Sequence, residues 1–89
     1  MSIKCMQAAF AADPEGKLSS SQKFVLLLLA NNANDEGLAV PSIPAMSRNS
    51  NLDDRTIRRA IDGLAKAGYL TIRQRPGRAA AYQLAGSTV

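Results

Sequence analysis

DDRTIRRAIDGLAKAGYL, residues 53–70, decides how this 89-residue chain is read. Asp53 is suited to cap a helix that starts at Asp54, because its carboxylate can accept an orphan backbone N–H of the first turn. Leu52 before the cap and Ile57 inside the helix stand at the two positions of a hydrophobic staple. Ile57, Ala60, Ile61, Leu64 and Ala67 recur on one face, and Gly68 supplies a left-handed stop. Opposite that face lie Arg55, Arg59, Asp62 and Lys66, with Arg58 on one flank and Thr56 and Gly63 on the other. The expected helix packs on one side and displays arginine on the other. Asp54 falls in the first turn, where the helix dipole favours an anion, and Asp62 is spaced to pair with Arg58 or Arg59.

Directly downstream, YLTIRQ alternates, with Leu70 and Ile72 on one face and Tyr69, Thr71 and Arg73 on the other. Arg75-Pro76-Gly77-Arg78 has the residues of a tight turn, and AAAYQL returns with Ala80, Tyr82 and Leu84 in register. This predicts a basic two-stranded hairpin joined to the end of a basic helix. Tyr69 and Tyr82 are expected to cover the sheet rather than to stack on bases.

Upstream, Ser42 can cap a short helix with Ile43 and Pro44 in its first turn, and Asn51 suits a left-handed turn between that helix and the next. Leu38-Ala39-Val40 allows only a short strand, preceded by a turn at residues 34–37. Ser19 and Gln22 form a capping-box pattern for a helix over 20–33, whose apolar residues cover most of its circumference and mark it as the central one. IKCMQAAF places Ile3, Met6, Ala9 and Phe10 at helical spacing before a break over residues 13–16. Cys5 is expected to be a buried small apolar residue.

Composition narrows the function classes. The chain has one cysteine and no histidine, which removes disulfide frameworks, Cys/His zinc sites and histidine-activated nucleophiles. No enzyme and no cofactor or metal is expected. The apolar run from Phe24 to Ala30 falls far short of the roughly 20 residues that span a bilayer, and with no secretory signal pattern the expected location is the cytoplasm. Net charge is +4 and is unevenly placed: residues 1–47 carry three cations against four acids, residues 48–89 eight against three. Seven of those eight are arginine, whose planar fork fits phosphates and guanine edges.

Helix, short strand, short helix, tight turn, helix and hairpin in that order make a mainly α, α+β fold: a winged helix-turn-helix with a three-helix core and an added N-terminal helix. From Leu18 to Leu84 the chain resembles the winged helix-turn-helix domains at the N-termini of bacteriophage and plasmid replication-initiation proteins. LSSSQKFVLLLLANNANDEG, the PSI of residues 41–43, DDRTIRRAIDGLAKAGYL and the closing AYQL carry the resemblance. It implies that Arg55, Thr56, Arg58 and Arg59 belong to a recognition helix and that Arg73, Arg75 and Arg78 belong to a wing. Asp54 stands where that family commonly has a basic or polar residue.

The expected organisation is a helical lead-in over 1–16, the winged domain over 17–84 and a tail or linker start over 85–89. The expected function is sequence-specific binding of double-stranded DNA, in replication initiation or transcription regulation, with Lys66 added to the contacting set. Arg55 and Arg59 are the candidates for guanine edges. The alternative is a protein-binding module whose basic face meets an acidic or nucleic-acid-like protein, a reading that Asp54 and Asp62 favour. Host replication proteins are further candidate partners, no membrane is, and homodimerisation stays open.

Overall fold

The computed structural model describes residues 3–13, 15–77 and 80–85. Their order is α1 (Ile3–Ala11), α2 (Ser20–Asn32), β1 (Leu38–Ala39), α3 (Ile43–Ser50), α4 (Asp54–Lys66), β2 (Leu70–Arg73) and β3 (Ala81–Leu84). The starts of α2, α3 and α4 are each fixed by a side chain that the sequence supplies for the purpose. Ser19 Oγ accepts from Gln22 N while Gln22 Oε1 accepts from Ser19 N, a complete capping box on α2. Ser42 Oγ accepts from Ala45 N on α3, and Asp53 Oδ1 accepts from Thr56 N at 2.7 Å on α4.

Val25, Leu26, Leu29 and Ala30 of α2 meet Ile57, Ala60, Ile61 and Leu64 of α4 in the core, with Met46 of α3 and Leu70, Tyr82 and Leu84 of the sheet. Leu29, Ile57 and Leu64 are fully buried, so the domain is centred where α2 crosses α4. α2 is central but not wrapped all round: Leu27 and Leu28 are half-buried and Phe24 is exposed. The helix ends one residue before Ala33, which adopts an extended conformation as its cap.

The turn between α3 and α4 is held by three local bonds. Asn51 takes φ 60°, the left-handed conformation expected of it, and its N–H donates to Ser47 O. Ser47 Oγ donates to Leu52 O, and Leu52 N donates to Ser50 Oγ. At the far end of α4, Gly68 at φ 88° lets Gly68 N reach Ala65 O and Tyr69 N reach Leu64 O, the paired bonds of a Schellman stop. That stop turns the chain straight into β2.

The three strands form one antiparallel sheet in the order β1-β3-β2. Leu70 faces Leu84 and Ile72 faces Tyr82, so the hairpin register follows the alternation in the sequence. β1 joins through Leu38 opposite Gln83 and Ala39 opposite Tyr82. Asn34 Oδ1 accepts from Glu36 N and Leu38 N, and Asn32 Oδ1 accepts from Val40 N, so two asparagines hold this two-residue strand in place. The architecture is a winged helix-turn-helix, with α3 and α4 as its two helices and β2–β3 as the wing.

α1 departs from expectation at two of its large residues, Ile3 and Phe10. Cys5 and Ala9 are buried and Met6 and Ala12 pack partly on the core, whereas Ile3 is 72% and Phe10 65% exposed. The face of Cys5, Ala8, Ala9 and Ala12 lies against Leu26, Tyr69, Leu84 and Ala85. Small side chains let the helix axis approach that junction closely, which Ile3 and Phe10 would prevent. Lys23 Nζ donates to Phe10 O and Ala12 O and so caps the last carbonyls of α1.

Candidate nucleic-acid interface

α4 carries the candidate surface because its burial is one-sided. Ile57, Ala60, Ile61 and Leu64 are buried, while Asp54, Arg55, Arg58, Arg59, Asp62 and Lys66 are exposed and Thr56 is half-buried. Asp53 anchors the start of this surface. Its pKa lies below the ordinary 3.8, chiefly through hydrogen bonds from the Thr56 side chain and backbone, with the charges of Arg55 and Arg59 adding to the shift. Among the described residues Asp54 and Asp62 have no ion-pair partner, so the expected pairing of Asp62 with Arg58 or Arg59 is absent. The side chains are long, exposed and solvated, and such a surface pair gains little on closing.

The two flanks of α4 differ. On one, Thr56, Arg59 and Ala60 face Ser19, Ser21 and Gln22 of the α2 start across an open cleft of about 330 Å³. Gly63 lies on the same flank, where a methyl group would overlap the Gln22 amide, so α2 and α4 approach closely just behind the cleft. On the other flank stands the wing. Tyr82 of β3 has its pKa raised above the ordinary 10.0 by burial, with the Arg58 charge opposing that shift and the Asp62 charge adding to it. Arg58 and Asp62 therefore stand close enough to the sheet to act on its buried tyrosine.

The wing places Arg73 on the sheet face turned away from the core, with Arg75 in the turn beyond it. Arg73 is exposed and Arg75 half-buried. Both border a hollow of about 640 Å³ together with Glu36, Leu38, Gln74, Ala81 and Gln83. Gly77, at φ 68°, supplies the left-handed residue that the turn requires. Arg78 falls outside the described residues. The eight expected site residues thus divide into an α4 group of Arg55, Thr56, Arg58, Arg59 and Lys66 and a wing group of which Arg73 and Arg75 are placed; the cleft at Thr56 and Arg59 and the hollow at Arg73 and Arg75 have no lining residue in common.

Sequence reading missed Ser21 and the second use of Ser19 and Gln22, which it took only as a helix cap. Gly63 inside an otherwise good helix was the available signal, since a helical glycine without a turn to make marks a close approach. No group of three or more His, Cys, Asp or Glu side chains comes together among the described residues, and no helix there is long and apolar enough to cross a membrane.

Residues 15–70 match the family described as "Helix-turn-helix domain". That span runs from the middle of the loop after α1 to the first residue of β2. Neither the curated proteins nor the solved structures contain a significant match to the chain.

Proposed function

From a chain that belongs to the helix-turn-helix domain family, we propose a protein that binds double-stranded DNA with sequence preference, α4 lying in the major groove and the wing reaching the backbone or the neighbouring minor groove. The observation that supports it is the arginine-bearing face of α4, left uncovered by packing and set between the α2 start and the wing. α4 enters N-terminus first, directing Arg55 toward base edges, with Arg59 one turn further along and Arg58 and Lys66 meeting phosphates. Arg73, Arg75 and Arg78 contribute affinity independent of sequence. The resemblance to phage and plasmid replication initiators supports origin binding ahead of transcription regulation, in the cytoplasm and without a catalytic role.

A second reading has its own support. Asp54 and Asp62 have no ion-pair partner among the described residues on the surface that would face phosphates, and such acids suit a protein partner that the arginines would also hold. Selection of bound sequences from a random duplex library, run beside a pull-down from bacterial extract, separates the two. Enrichment of a defined site supports DNA binding, with direct repeats suiting an origin and a palindrome suiting a dimer. No enrichment together with one stoichiometric acidic protein partner would replace the DNA reading with the second.

A further inference from the structure

A helix lying in the major groove has a phosphate backbone on each side, and the wing serves only one side of α4. On the other side the structure has the cleft between α4 and the α2 start, walled by Arg59, Thr56 and Ala60 from α4 and by Ser19, Ser21 and Gln22 from α2. Its polar side chains are three hydroxyls, one amide and one guanidinium. Two other charged hollows each contain an acid, Glu36 on the sheet face and Asp13 beside Lys23, whereas no carboxylate lines this one.

The existing bonds leave much of this donor capacity free. The Gln22 amide oxygen is used by Ser19 N, and Ser19 Oγ accepts from Gln22 N, so the Ser19 hydroxyl proton can still be donated outward. Ser21 is half-buried, and its hydroxyl makes no hydrogen bond to another described residue. Arg59 has no ion-pair partner among the described residues, and its nearby acid, Asp53, is already engaged by Thr56. A single phosphate oxygen pair can be met by a guanidinium from one wall and a hydroxyl from the other.

We infer that this cleft is a backbone-phosphate site, in which Arg59 and Ser21 grip one phosphodiester on the side of the groove opposite the wing. The assignment rests on the DNA reading above and sharpens it: Arg59 is a backbone contact, which leaves Arg55 as the base reader of the pair. Thr56, held to the cap at Asp53, lines the cleft beside Arg59.

The test compares Arg59→Ala and Ser21→Glu with the unsubstituted chain on the selected duplex and on random-sequence duplex, over a series of salt concentrations. Ser20→Glu is the control. It puts the same charge in the same turn but on the side of Asp13, Lys23 and Phe24. Arg59→Ala should lose roughly tenfold in affinity for both duplexes alike and flatten the salt slope by about 0.9. Ser21→Glu should weaken both, and by clearly more than Ser20→Glu, with circular dichroism unchanged because an acid in the first turn of a helix is favourable. A changed base preference with an unchanged slope for Arg59→Ala, or equal losses for the two glutamates, would overturn the cleft assignment while DNA binding stands. Failure of the unsubstituted chain to bind either duplex would remove the DNA reading and the cleft with it.

Discussion

Asp53 holds the start of α4, and does so best as an anion. Its folded pKa lies below the ordinary 3.8, so its contribution is present above that value and is lost as pH falls through the folded pKa. Asp13 behaves in the same sense, because its carboxylate accepts Leu18 N and Lys17 N in the loop after α1. Asp53→Ala should therefore melt earlier than the parent near neutrality, and the gap should close in acid below the carboxylate range. Thermal melts across pH check this, and a gap independent of pH would contradict it. Arg55 makes the complementary prediction for function. Its replacement by alanine should cost about 1–3 kcal/mol of discrimination at one base position, measured by competition between the selected site and its single-base variants. The cap role of Asp53 and the exposure of Arg55 were legible because both follow from position along one helix. The meeting of Arg59 and Ser21 at one cleft was not, because the two lie more than thirty residues apart in sequence.

At the scale of elements, α4 was the most legible part of the chain and α1 the least. α4 has a single apolar stripe, two start signals and a stop, all in agreement, and its bounds came out within one residue of expectation. α1 offers two stripes, one of large residues at Ile3, Met6 and Phe10 and one of small residues at Cys5, Ala9 and Ala12. Hydrophobicity favours the first, but close approach to the α2–sheet junction selects the second, and no local pattern encodes that geometry. The contact between α2 and α4 gives a third prediction. Gly63→Ala gains helix propensity of about 1 kcal/mol, but the new methyl displaces the Gln22 amide that completes the α2 capping box. The substitution should be close to neutral alone and stabilising in a Gln22→Ala background. Chemical denaturation of the four proteins of that cycle reads the coupling, and an equal effect of Gly63→Ala in both backgrounds would contradict it.

For the whole molecule, the wing is tied to the helix-turn-helix by more than the hairpin itself. β3 is the middle strand, and its Leu84 N donates to Gly37 O while Gln83 Nε2 donates to Glu36 O, so the α2–β1 turn sets the position of the wing. The hairpin register could be read from alternation, but a two-residue strand has no pattern of its own and its pairing with β3 is long-range. The result is a rigid frame that sets one basic helix between a wing and a second, hydroxyl-lined flank. Such a frame should bind duplex DNA through several phosphates at once. The most direct measurement is a titration of the chain with duplex DNA across a range of salt. Log affinity should fall linearly with log salt, with a slope near −0.9 per phosphate engaged and several phosphates in total. No duplex binding even at low salt, or an affinity indifferent to salt, would contradict the account.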